Sequence, residues 1–268
     1  MRRITAPVMQ ALCVTALLLG AAQSNPSLAQ TPSPAPALPP SQWLVITQIS
    51  VKPEMMAEFQ NFMKTTTNPA LKKGGLKWRE VWQNTNYAGD AYEFVLVAPF
   101  DKFAEFDAPS PLEKALGSQG FADWTAKASS FVKSVRRYIV RTRPDLSALS
   151  KPTAPKIAVI SSVRVANGRN QEFENYIKND FAPVFAKAGV NYFVSQTIFG
   201  GDVNEYVTLA MRDSFTDLDK GPIPTQVLGA EGAQKLFAKL PAGAVTHMER
   251  TIMRLVPELS IMPGEMPK

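Results

Sequence analysis

Residues 44–83 read LVITQISVKPEMMAEFQNFMKTTTNPALKKGGLKWREVWQ, and residues 158–197 read AVISSVRVANGRNQEFENYIKNDFAPVFAKAGVNYFVSQT. At a spacing of 114 the two stretches agree at 10 of 40 positions, among them Val45 with Val159, Glu58-Phe59 with Glu172-Phe173, Pro69 with Pro183 and Gly75 with Gly189. The match resumes at a spacing of 112, where Gly89-Asp90 meets Gly201-Asp202, Glu93 meets Glu205 and Leu116-Gly117 meets Leu228-Gly229. It closes at 113, with Arg137 on Arg250, Ile139 on Ile252, Pro144 on Pro257 and Leu146-Ser147 on Leu259-Ser260. Order kept over about 100 residues with two small slips marks an internal repeat.

Each copy predicts the element order β-α-β-β-α-β. Trp43 to Val51 is almost continuously apolar and β-branched, as a strand covered on both faces is. Met55, Met56, Phe59, Phe62 and Met63 follow at helical spacing, and Gly74-Gly75 supplies a stop. Leu76 to Gln83 and Ala91 to Ala98 form a hairpin about the Asn-, Gly- and Asp-rich stretch between them. Phe121, Trp124, Ala128, Phe131 and Val132 mark a second helix, and Val135 to Arg141 is a closing strand halted by Pro144. The second copy repeats this plan from Ile157 to Arg254. Such a unit makes a four-stranded antiparallel sheet with both helices on one face. The bare sheet faces are also apolar and need a cover. The expected fold is therefore α+β: two tandem ferredoxin-like βαββαβ repeats, packed sheet-to-sheet as a pseudo-dimeric α/β barrel. Two separate domains, each pairing with another chain, are the alternative.

Residues 1–29 read as a signal peptide. Arg2 and Arg3 precede a mostly apolar run from Val8 to Ala22, and Ser27-Leu28-Ala29 fits a cleavage site. The run is short of the ~20 residues of a membrane span, so a periplasmic or secreted protein without stable membrane insertion is expected. Cleavage would remove Cys13, the only cysteine, and with it disulfides, thiol nucleophiles and cysteine metal sites. It would also lower the formal net charge from +6 to +4, a mild excess that does not call for nucleic acid. The remaining divisions are a Pro-rich tether at 30–41, a first repeat at 42–146, a linker at 147–155, a second repeat at 156–260 and a tail at 261–268.

The strand–helix stretch Leu44 to Lys73, the hairpin strands Leu76 to Gln83 and Ala91 to Ala98, the closing strand Val135 to Arg141, and their second copies resemble the dimeric α/β-barrel superfamily. That superfamily includes antibiotic-biosynthesis monooxygenases and NIPSNAP-like proteins. The resemblance spans nearly all of the chain after the tether and is one of pattern, without a diagnostic motif. It implies cofactor-independent oxygenases, haem-degrading enzymes or proteins without a known activity. No cofactor is therefore predicted, and haem stays open.

Several side chains could carry chemistry. Glu93 and Glu205 sit at matching places on the third strand of each repeat and alternate with apolar residues. If that face lines a barrel, two carboxylates enter an apolar cavity and are placed for acid–base work. If instead they lie at strand ends, Arg137 and Arg250 could pair with them. His247, the only histidine, is a candidate base or haem ligand, or an ordinary strand residue. One histidine without cysteine argues against zinc. Trp78 and Tyr192 match at a spacing of 114 and could stack on a planar ligand or simply pack in the core. The basic run Lys133, Arg136, Arg137, Arg141 and Arg143 fits a solvated edge better than a nucleic-acid surface. No phosphate loop, nucleophile elbow or zinc-protease helix motif is present.

Three functions compete. The first is binding of a small apolar or aromatic molecule between the two sheets, by a protein that is either a monomeric pseudo-dimer or a homo-oligomer. The second is a cofactor-independent monooxygenase-like oxidoreductase, which needs polar groups converging inside the cavity. The third is an envelope assembly module, which needs a broad exposed apolar surface.

Overall fold

The computed structural model describes residues 40–150 and 156–262. The expected signal peptide, almost all of the tether, most of the expected linker and most of the tail lie outside those residues. Within them are eight strands: β1 (Trp43–Val51), β2 (Glu80–Asn84), β3 (Glu93–Phe100), β4 (Val132–Thr142), β5 (Ile157–Val165), β6 (Tyr192–Phe199), β7 (Glu205–Arg212) and β8 (Val245–Leu255). They form a closed barrel in the order β1-β3-β2-β8-β5-β7-β6-β4, antiparallel at every contact. The first four strands make one sheet and the last four repeat its order. The sheets face each other across the interior, as expected. They also join edge to edge at two seams, β2 with β8 and β4 with β6, so no strand edge is left open to another chain. Directions alternate around the ring. The ends of β1, β2, β5 and β6 therefore share one rim with the starts of β3, β4, β7 and β8.

The helices lie on the outer faces. In the first half α1 (Met56–Phe62) runs through a π-turn into α2 (Asn68–Lys73), and α3 (Pro111–Phe131) follows β3. Ser110 starts α3, its Oγ accepting a hydrogen bond from the Glu113 N–H at 3.2 Å. The second half matches with α4 (Asn170–Tyr176), a π-turn, α5 (Ala182–Lys187), the short α6 (Thr216–Asp219) and α7 (Ile223–Ala238). Both long helices bend at a glycine in the left-handed region, Gly117 (φ 70°) and Gly229 (φ 71°), a pair already matched in sequence.

Strand alternation sorts the apolar residues into outer and inner cores. Outward, Val51, Val81 and Phe94 pack on Phe59, Met63 and Phe131; in the second half Val165, Val194 and Tyr206 pack on Phe173, Ile177 and Phe185. The two halves also exchange anchors. Leu146, in the turn after β4, is buried in the helix-side core of the second half. Leu259, in the matching turn after β8, is buried in that of the first. Backbone bridges fix both exchanges, Ala148 with Tyr192 and Ile261 with Arg79.

Those bridges correct the sequence alignment. Arg79 and Tyr192 play the same part and are 113 residues apart, so on the second strand the spacing is 113 and not 114. A one-residue slip exchanges the two faces of a strand. The structural partner of Trp78 is therefore Asn191, not Tyr192. The second strand is also shorter than expected, because residues 76–79 contribute only the single bridge at Arg79.

Two aromatic contacts cross between the halves in matching fashion. Phe103 meets Phe199 edge to face at 5.5 Å, and Tyr87 meets Phe215 at 5.9 Å. They account for several of the most exposed large apolar residues of the described chain, so these side chains lie paired rather than as one broad sheet face.

Candidate functional site

The barrel encloses a cavity of about 460 Å³. Its wall follows from strand parity. Ile46, Val95, Ile160, Val207, Leu209 and Met253 are among the apolar side chains that point inward, with Trp78, Trp82 and Phe193 adding aromatic surface. That volume is within the range of pockets that hold small organic molecules.

The ionisable residues of the lining are Glu80, Glu93, Glu205, Glu249, Arg136 and Tyr138. Glu93 begins β3 and Glu205 begins β7, so both stand on the same rim and face the shared interior. Glu93 accepts a hydrogen bond from Asn84 Nδ2 at 2.7 Å. Burial pushes its carboxyl above the usual range, Asp90 adds to the rise, and the Asn84 bond opposes it. Glu205 accepts a hydrogen bond from Ser162 Oγ. Tyr138 lies between the two acids: its phenol is pushed up to about 12, first by burial and then by the negative charge of Glu205, with Glu93 adding a smaller part. Arg136 lies with its guanidinium carbon 5.4 Å from the Tyr138 ring centre. Its Nη2 and Glu205 Oε2 both border Gly201, where a Cβ would stand 3.3 Å and 3.9 Å from them.

The cluster is asymmetric within a symmetric frame. At the spacing of 113 that relates β4 to β8, Arg136 corresponds to Glu249 and Tyr138 to Thr251. One acid of the matched pair therefore has an arginine and a phenol beside it, whereas the corresponding place in the other half carries a carboxylate. A rim of this kind can take a proton at Glu93 and face an anion with Arg136 and Tyr138.

Glu80 stands apart from this rim. It starts β2, is partly buried, and accepts a hydrogen bond from Trp82 Nε1 at 2.9 Å. Burial raises its carboxyl above the usual range, against the lowering by the Trp82 bond.

Of the residues singled out in the sequence, Glu93, Glu205 and Trp78 line the cavity. Tyr192 does not. The one-residue slip turns it to the helix side, where it is buried and stacks on Phe185 at 4.5 Å. Arg137 and Arg250 point outward and pair with neither acid; Arg250 Nε donates to Ser161 Oγ at 3.1 Å. Their neighbours Arg136 and Glu249, one residue away in each strand, border the chamber at its mouth and are themselves exposed. His247 is exposed on a shallow recess of the rim with Ser162, Arg164 and Glu205, and its Nε2 lies 3.0 Å from Glu249 Oε1. The cavity lining has no histidine or cysteine, so it does not fit haem held through either residue. Among the described residues no three metal-ligating side chains come together, and no helix is long and apolar enough to cross a membrane. Glu80, Tyr138 and Glu249 were not candidates from sequence, and Arg136 entered only as part of a basic run. Alternation could have found them had the inward face been known, but both faces of these strands are partly apolar.

No protein-family model and no curated protein sequence matches the chain. Solved structures do. A protein of Lactobacillus acidophilus NCFM named "putative monooxygenase" superposes with a TM-score of 0.55 at 9% identity, over 84% of this chain and 98% of that one. An anthrone oxidase-like protein gives 0.56 at 11% identity, over 84% and 95%. Chlorite dismutase from Candidatus Nitrospira defluvii, in complex with imidazole, gives 0.50 at 6%, over 81% and 91%. At these identities the likeness is one of fold: the chain shares with these proteins a ferredoxin-like α/β barrel.

Proposed function

We propose that the protein binds a small molecule with an apolar or aromatic body inside its barrel. The observation that carries this reading is the 460 Å³ interior, where apolar and aromatic side chains such as Ile46, Val95, Trp78 and Phe193 supply most of the exposed wall and polar side chains are set among them. A barrel meant only as a scaffold gains by filling that space with side chains, because packed interiors are more stable than hollow ones. Native mass spectrometry of protein purified from its own host, without added ligand, tests it. A bound mass of a few hundred daltons is expected, and Val207→Phe, which narrows the chamber, should weaken its retention. Empty protein in both forms, with no small molecule of any class retained in a screen, would remove the reading.

A second reading, cofactor-independent oxidation, is favoured by one further observation: Glu93, Glu205, Arg136 and Tyr138 stand toward one end of a chamber that also has a broad apolar wall. In it Glu93 removes a proton from an activated methylene, Arg136 and Tyr138 face the anion, and dioxygen converts the methylene to a carbonyl with release of water. The fold likeness to proteins named as monooxygenases supports it without assigning a substrate. Oxygen uptake that depends on a bound substrate, and falls at least ~100-fold in Glu93→Gln, is the expected result.

The element order and the matched residues also support descent from a duplicated unit. Residues 1–29 support export to a periplasm or beyond; N-terminal sequencing of the cell-envelope form should begin near Gln30.

A further inference from the structure

We infer that the chamber's ligand carries a basic nitrogen, and that Glu80, set between Trp78 and Trp82, is the residue that receives it. This rests on the reading of the interior as a binding chamber and adds a chemical class to it. Among the described residues the lining sets Glu80, Glu93 and Glu205 against one arginine and no lysine; the fourth glutamate, Glu249, is mostly exposed and lies 3.0 Å from His247. The arginine lies at the rim beside Tyr138 and Gly201, among the pair Glu93 and Glu205. Glu80 belongs to a different part of the chamber. It pairs across the ladder with Val97, four residues along β3 from Glu93, a separation of about 13 Å at the rise of an extended strand.

No cation answers Glu80 among the described residues. Its hydrogen-bond partner is the indole N–H of Trp82, which neutralises no charge. Arg79, the adjacent residue, is turned to the helix side by strand alternation, where its Nη2 donates to Asn68 Oδ1. A carboxylate held in an apolar chamber without a cation is unfavourable, and a ligand ammonium removes that penalty. The indole of Trp78, partly exposed in the same chamber, supplies a face that attracts a cation, while Trp82 is buried and holds Glu80 through its N–H. The structural counterpart of Glu80 in the second half is Phe193, so the fold does not require an acid here. A ligand of about 10 Å with an ammonium at one end would sit on Glu80 and reach toward the Glu93–Tyr138 rim with the other.

The test is a charge series of equal shape: 4-phenylbutylamine, 4-phenylbutanol and 4-phenylbutyrate, titrated calorimetrically into the purified protein at pH 7. The amine is expected to bind about tenfold or more tighter than the alcohol, and the carboxylate most weakly. In Glu80→Gln the amine should fall to the affinity of the alcohol while the alcohol is unchanged, which also shows that the variant is folded. Equal binding of amine and alcohol, or tighter binding of the carboxylate, overturns the inference and leaves the chamber reading standing. An amine preference that survives Glu80→Gln overturns the assignment to Glu80. No binding by any of the three counts against the chamber reading itself. If Glu80→Gln does not fold, the series on the unaltered protein still decides the charge preference.

Discussion

Two acids of opposite behaviour define the residue scale. Glu80 is held above the ordinary carboxyl range by burial. Its contribution to stability is therefore present below the unfolded value, near 4.5, and is lost as the pH rises through the folded one. Glu80→Gln should raise Tm at pH 7 by about 2–4 °C for each kcal/mol gained, and the gain should vanish below about pH 4; melting curves across that range check it. Glu174 is the reverse case. Arg143 Nη2 donates to its Oε2 at 2.8 Å and Tyr206 Oη donates to its Oε1 at 2.6 Å. Arg143 holds its carboxyl below the usual range, so this stability is present above the unfolded value and lost as pH falls through the folded one. Arg143→Met should cost about 3 kcal/mol at neutral pH, at the low end for a buried pair that loses one partner. The variant's urea midpoint should also change less than the parent's between pH 5 and 3. At this scale the sequence was only half legible. Glu93 and Glu205 announced themselves because each alternates with valine on a strand of known direction. Arg137 and Arg250 misled because Tyr138 and Ile139 are both apolar neighbours, so the run does not say which parity faces in.

Elements were the most legible level, since strand and helix periods come from local spacing. Where they failed, the cause was non-local. Tyr192 was paired with Trp78 by an alignment whose slip lies before the second strand, and the bridges to Ala148 and Ile261, with the pairing of β2 on β3 and β6 on β7, fix the true register. The halves also differ at a helix end. A Cβ on Gly74 would stand 1.8 Å from the Pro111 carbonyl oxygen, so the end of α2 packs on the start of α3 only through glycine. Its counterpart at the spacing of 114 is Ala188. Gly74→Ala should therefore cost about 1–3 kcal/mol through forced displacement, whereas Ala188→Gly should cost under about 1 kcal/mol. Chemical denaturation of the two variants measures the contrast.

For the whole molecule, the seams decide behaviour. Each half lends a leucine to the other's core, so neither core is complete alone. Leu146→Ala should cost about 2–5 kcal/mol, and unfolding should stay a single transition in which calorimetric and van't Hoff enthalpies agree. Two separated transitions would mean that the halves are independent. The barrel's closure was expected from two apolar sheet faces. Its edge-to-edge seams and the exchanged leucines were not, because nothing local in residues 144–148 or 257–261 says which core receives them.

That exchange has a consequence for the order of events as the chain emerges, N-terminus first. The first half holds its strands and helices by residue 142, but Val256 and Leu259 belong to its core and are the last of its parts to be made. The N-terminal half must therefore wait, incompletely packed, until the far end of the chain has emerged. The usual sequence, in which N-terminal domains finish first, does not apply to this barrel.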